Sequence, residues 1–151
     1  MASTRLTDVE LRAWQALLHA HHDVVGTLDD ELRAHHDITF SEYDVLLRLA
    51  RAPGRALTMG ALAERTMLSP SGTTRLVDRL ASSGLVRRRG MPDDGRVALA
   101  TLTAEGTRVV RAAARTHLRG IRQHFTGRLT QQQLQQVASA LETIAGPHAP
   151  H

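Results

Sequence analysis

Residues 58–103 read TMGALAERTMLSPSGTTRLVDRLASSGLVRRRGMPDDGRVALATLT, and this stretch decides the fold. It opens on a short helix capped by Thr58. After the turn Met67-Leu68, Ser69-Pro70 opens a second helix. Serine accepts from free backbone N–H groups, and proline at the first helical position lacks one to leave unpaired. Leu76, Val77 and Leu80 carry that helix inward, and Gly84 supplies the residue that commonly follows a helix end. Two short helices joined by a tight turn predict a helix-turn-helix. The runs Leu85-Val86-Arg87-Arg88-Arg89 and Arg96-Val97-Ala98-Leu99-Ala100-Thr101-Leu102 then read as strands. The turn-forming residues Gly90-Met91-Pro92-Asp93-Asp94-Gly95 join them into a β-hairpin wing.

Outward from this core the chain reads as helix. Leu11, Trp14 and Leu18, then Val25, Leu28 and Leu32, repeat at helical spacing over 7–35, with Gly26 as a kink or weak spot. A second helix is expected from Ser41 as N-cap, with Asp44 three residues on, Phe40 as a hydrophobic staple, Tyr43, Leu46 and Leu47 as its apolar face, and Pro53-Gly54 as its stop. Beyond the wing, Thr103 caps a long helix over 104–126, striped by Val110, Ala114, His117, Leu118, Ile121 and Phe125 and ended by Gly127. Thr130 and Gln133 form a capping box for a last helix, where Leu134, Val137, Leu141 and Ile144 follow a heptad-like 3-4-3 spacing. Gly146-Pro147 ends it, and the tail to His151 is expected to be unstructured. The predicted fold is mainly α with a small β-hairpin wing, a winged helix-turn-helix with long N- and C-terminal helices. It fills one domain over 1–151, with a DNA-binding lobe over 41–103 and a helical region over 5–36 and 104–146.

Composition agrees and excludes several alternatives. Apolar residues make up 42% of the 151-residue chain but aromatics only 3%, so the core is built from Leu, Val, Ala and Ile. No stretch approaches the roughly 20 apolar residues of a membrane span, and no apolar signal-peptide core follows Met1, so the expected compartment is the cytoplasm and no membrane partner is expected. With no cysteine, thiol chemistry is excluded. The 19 basic residues are all arginine, and ten of them fall between Arg48 and Arg96 against four acids, a local balance of +6. The rest of the chain holds nine arginines against eleven acids, a balance of −2. The positive charge therefore coincides with the helix-turn-helix and wing, the electrostatic footprint of a nucleic-acid surface.

Within that segment, Ser69, Ser71, Thr73 and Thr74 are short hydroxyl residues at a helix start. Backbone N–H groups and the helix dipole there favour a phosphate or a base edge. Arg75 is long enough to read a guanine edge or to clamp a phosphate, and Arg79 one turn on is expected at the backbone. Thr58 joins this set at the start of the first helix. Arg87, Arg88 and Arg89 alternate faces along a strand, so they cannot all touch DNA; Arg88 is the expected phosphate contact. The plain alternative is that these residues cap a helix and solvate its face.

The order of elements resembles the MarR family of bacterial regulators over nearly the whole chain. The resemblance is carried by Leu62-Ala63, by the run Ser69 through Leu80, by Gly84-Leu85-Val86-Arg87-Arg88, and by Asp93-Asp94-Gly95-Arg96 leading to Leu102-Thr103-Ala104-Glu105-Gly106. It implies a homodimer in which the first and last helices interlock, each protomer presenting one winged helix to a pseudo-palindromic site in double-stranded DNA. It also implies that Arg96 enters the minor groove, where narrow A·T-rich DNA concentrates negative potential, and that Asp94 braces it. Relatives commonly release DNA when a small aromatic or anionic effector fills a pocket between the dimer helices and the lobe. Here Trp14, Leu18, Tyr43, Leu47, His117 and Ile121 would line it. His117 sits on an otherwise apolar stripe, either as a buried satisfied histidine or as a ligand or pH contact.

Nine histidines raise the question of a metal. His21-His22, His35-His36, His117 and His124 offer no i, i+4 pair and no thiolate, so no metal site and no cofactor are expected. No nucleophile–base pair, glycine-rich phosphate loop or paired carboxylates suggests catalysis, and no catalytic residue is assigned. The leading expectation is a DNA-binding repressor. The alternatives are a winged-helix protein-interaction module without DNA binding, or a metal-responsive regulator.

Overall fold

The computed structural model describes residues 5–66, 68–91 and 94–146, with the backbone alone at 91 and 94–97. The elements are α1 (Asp8–His36), α2 (Phe40–Arg51), a 3₁₀ turn (Pro53–Arg55), β1 (Ala56–Thr58), α3 (Met59–Thr66), α4 (Pro70–Ser82), β2 (Val86–Met91), β3 (Asp94–Leu102), α5 (Ala104–His124), a second 3₁₀ turn (Thr126–Arg128) and α6 (Gln131–Ala145). The mainly helical fold with a small antiparallel sheet is as expected. The residues divide into two compact units, Asp29–His117 and the pair of segments Met1–Leu28 with Leu118–His151. The first unit reaches beyond 41–103, because the end of α1 and most of α5 pack with the winged helix.

Several element boundaries differ from the sequence reading for identifiable reasons. Helix α1 runs unbroken through Gly26. The N-cap of α2 is Thr39 rather than Ser41. The Thr39 hydroxyl accepts from the Glu42 N–H at 3.0 Å while the Glu42 carboxylate accepts from the Thr39 N–H at 2.7 Å. This reciprocal box satisfies two orphan donors, and Asp29 takes a third, the Phe40 N–H at 2.7 Å. Helix α5 ends at His124 rather than 126, and a 3₁₀ turn holds Gly127 so close to the Arg122 carbonyl that a side chain there would collide with it. The capping box of Thr130 and Gln133 starts α6 as expected.

The sheet has three strands in the order β1-β3-β2, all antiparallel; β1 was not anticipated. Its three residues pair as Ala56 with Thr101, Leu57 with Ala100 and Thr58 with Leu99, while β2 pairs as Val86 with Leu102 and Arg88 with Ala100. Side chains alternate along a strand, so Leu57, Val86, Ala100 and Leu102 share the inner face, and all four are buried. They join Leu32, Val45, Leu46, Leu49, Leu62, Leu76, Val77, Leu80, Val110 and Ala113 in one apolar core. Each fully buried Leu or Val contributes about 1.5–3 kcal/mol relative to exposure, and the helix-turn-helix is held by this burial. Gly106 lets the first turn of α5 approach the Leu85 carbonyl, where any Cβ would clash.

In the other unit the pattern is reversed. Among the described residues, the large apolar side chains that stay exposed are Leu6, Val9, Leu11, Trp14, Leu17, Leu18, Leu118, Phe125, Leu141 and Ile144, and every one belongs to this unit. Helix α6 has no buried residue. Among the described residues no helix is long and apolar enough to cross a membrane.

Candidate nucleic-acid interface

Helix α4 is built from its cap outward. The Ser69 hydroxyl accepts from the Gly72 N–H at 3.0 Å and lies 3.3 Å from the Ser71 hydroxyl, with Pro70 opening the first turn. Thr73, Leu76, Val77 and Leu80 form the inward face. Ser71, Arg75, Asp78, Arg79 and Ser82 are exposed on the outward stripe, with Thr74 beside them half-buried. Helical spacing of 3.6 residues per turn produces this division.

The hydroxyl residues expected to face DNA therefore separate. Thr73 is 1% exposed and its hydroxyl donates to the Ser69 carbonyl at 3.0 Å, so it belongs to the core and not to the groove surface. Its position, one turn from Leu76 and Val77, puts it on the apolar side. Thr74 donates its hydroxyl to the Pro70 carbonyl at 3.0 Å, leaving its oxygen as an acceptor. Ser69 and Ser71 are exposed at the helix start. Thr58 is half-buried, and its hydroxyl caps α3 by accepting from the Ala61 N–H at 3.2 Å.

The arginines differ in how they are held. Arg75 is exposed and has no ion pair or side-chain hydrogen bond among the described residues. Arg79 is loosely paired, its Nε 3.7 Å from the Glu42 carboxylate. Arg88 is firmly held, its Nη1 donating to Asp78 at 2.9 Å. Because Arg88 pairs with Ala100 in the sheet, it lies on the face that carries Val86, the face turned toward α4. Arg87 and Arg89 point the other way. The pairing roles of Asp78 and Glu42 are not legible in the sequence, since a carboxylate ten or thirty-seven residues from its arginine leaves no local pattern. The wing residues Asp94 and Arg96 lie on the backbone course of β3, and their side chains are outside the described residues.

The residues assigned to an effector fall into both units. Trp14, Leu18 and Ile121 belong to the helical unit, Trp14 being 54% exposed. Tyr43, Leu47 and His117 belong to the lobe, where the His117 ring lies 4.8 Å from that of Tyr43 and meets Phe40 edge-on at 5.6 Å. His117 Nδ1 is buried without a hydrogen-bond partner among the described residues. Burial pushes the His117 pKa down, opposed by the negative charges of Asp44 and Glu31, and burial likewise raises that of Tyr43. Nearby, His36 Nε2 and the Thr116 hydroxyl meet at 2.8 Å, joining the end of α1 to α5. Among the described residues no three His, Asp or Glu side chains are grouped as a metal would need.

Comparison with known proteins places this geometry. A model of the MarR family matches residues 36–97. AbsC, a MarR family transcriptional regulator from Streptomyces coelicolor, superposes with a TM-score of 0.88 at 31% identity, covering 95% of this chain and 96% of that one. The chain belongs to the MarR family. A second MarR family regulator from Streptomyces coelicolor, Sco3205, was solved in complex with DNA and is similar at a TM-score of 0.89 and 31% identity, over 98% of this chain and 93% of that one. An uncharacterised HTH-type transcriptional regulator of Mycobacterium leprae is 37% identical over 78 residues, 52% of this chain and 53% of the relative. The chain thus spans about half the length of the mycobacterial relatives it matches. In this MarR-family chain the matched stretch runs from the end of α1 into β3 and takes in α4 whole.

Proposed function

We propose that this MarR-family protein is a sequence-specific double-stranded-DNA-binding repressor. It acts in the cytoplasm as a homodimer on a pseudo-palindromic operator and lets go when a small aromatic or anionic effector binds. The outward stripe of α4 carries the reading: Ser69, Ser71 and Thr74 at a capped helix start, with Arg75 one turn on and uncommitted to any acid among the described residues. Such a helix lies in the major groove with its early residues at base edges, Arg75 donating to guanine and Arg79 and Arg88 to phosphates. Arg96 is proposed to enter the adjacent minor groove with Asp94 as its brace. A similar protein solved with DNA supports the assignment.

A second copy of the chain is the proposed cover for the exposed apolar residues of the helical unit. Two-fold symmetry then gives half-sites about one helical turn apart, on the order of 34–36 Å. In the lobe, the effector is proposed to meet Tyr43, Leu47 and His117, where a buried ring nitrogen lacks a partner among the described residues and lies beside two aromatic rings.

Selection from a random duplex library, followed by fluorescence anisotropy on the recovered site, tests this. A recovered pseudo-palindrome bound at least about 10³-fold more tightly than unselected DNA supports it. Arg75→Ala should relax the base preference, and Arg96→Ala should weaken binding with the dimer intact. No enrichment, with equal and weak binding to all duplexes, would leave an interaction module as the better reading.

A further inference from the structure

Asp78 stands in the middle of the outward stripe of α4, between Arg75 and Ser82, on the surface proposed to enter the major groove. A carboxylate there opposes DNA binding unless it is paired, since each phosphate carries a full negative charge. It is paired: Arg88 on β2 donates to it at 2.9 Å across the gap between helix and wing. The contact is not part of the core, because the two side chains are 39% (Arg88) and 56% (Asp78) exposed. An ion pair so exposed adds little to folding, so stability does not explain an acid at this place.

We infer that Asp78 is a positioning residue, which aims Arg88 at a DNA phosphate on the rim between α4 and the wing. Arginine presents five N–H donors in a planar fork. Nη1 is held by Asp78, and Nε and Nη2 have no partner among the described residues. A guanidinium anchored on one edge loses its rotamer freedom before DNA arrives, so the phosphate contact no longer has to order a free side chain. Arg87 and Arg89, on the opposite face of the strand, have no such anchor among the described residues. The same pair ties the root of the wing to the reading helix, so both approach DNA in one register.

The inference rests on the DNA-binding reading and on Arg88 as a phosphate contact, and its test separates the two. The probes are the duplex recovered by selection and an unselected duplex of equal length, titrated by anisotropy from 50 to 300 mM salt. If Asp78 merely repelled phosphate, Asp78→Asn would tighten binding. Positioning requires the reverse: binding about tenfold weaker, because the phosphate contact must then order a rotamer-rich side chain in each protomer. The slope of log K on log salt should stay near the wild-type value in Asp78→Asn, whose Arg88 still reaches the phosphate, and flatten by about 0.9 for each protomer engaged in Arg88→Ala. Asp78→Asn added to Arg88→Ala should weaken binding no further. Unchanged or tighter binding by Asp78→Asn, or a further loss when it is added to Arg88→Ala, overturns the inference while wild-type binding stands. Failure of the wild type to bind either duplex overturns the DNA-binding reading itself.

Discussion

The lobe Asp29–His117 and the helical unit formed by the two ends of the chain are both amphipathic, yet they dispose of their apolar residues in opposite ways. The lobe buries its leucines and valines against its own sheet and helices. The helical unit leaves Trp14, Leu18, Leu141 and Ile144 in water, Ile144 at 78% exposure. A unit that satisfies itself is a scaffold for a site. One that does not carries exposed apolar residues of the kind that form interaction surfaces. The same chain thus carries a folding core and the surface proposed above to be covered by a second copy, and substitutions in the two should fail in different ways.

The largest expected effect is in the lobe. Leu46 is fully buried, and Leu46→Ala should cost about 2–5 kcal/mol in urea or thermal unfolding, whatever the protein concentration. A smaller loss would mean that the lobe is looser than its packing implies. In the other unit, Leu141→Asp combined with Ile144→Asp should leave the lobe folded but weaken self-association by about 2 kcal/mol or more, seen by light scattering on dilution. If the double variant unfolds or assembles normally, the contrast between the units breaks. Ser69→Ala removes the α4 cap and should cost about 1 kcal/mol, with a matching loss of DNA affinity when the helix start frays.

The smallest effect sharpens the comparison through pH. Burial favours neutral His117, holding its folded pKa below the unfolded value near 6.5. The stability that this carries is whole above that value and is lost as pH falls through it toward the folded pKa. Between pH 7 and 5 the wild-type urea midpoint should fall more than that of His117→Phe. Asp29 stays out of this window. Its burial raises the pKa, but the Phe40 N–H and the Arg33 guanidinium outweigh that and hold it below the ordinary carboxylate value. Equal acid slopes in the two proteins would show that His117 is solvated in solution.

Much of this was legible because helices advertise themselves locally. The Ser69-Pro70 start of α4 and the Thr130–Gln133 box each depend on residues within one turn of each other. Thr39 and Glu42 were equally legible as a capping box, but Ser41 three residues before Asp44 offered a competing one. The longer glutamate, which reaches back to the Thr39 N–H, decided between them. β1 was not legible, since three residues carry too little alternation to announce a strand. Only its partner β3 makes one of them.

The sequence by itself determined the order of helices, the helix-turn-helix with its wing, the placement of positive charge, and the family resemblance that comparison bore out. Periodicity, caps and charge clustering are properties of neighbours in the chain, and need no packing to be read. The tertiary structure decided which way each side chain of α4 points. It turned Thr73 into the core, left Arg75 without an acidic partner among the described residues, and brought Asp78 to Arg88. Those outcomes depend on how α4 packs on a sheet in which β1 pairs with residues forty and more positions away, and burial across such distances leaves no mark in a local pattern.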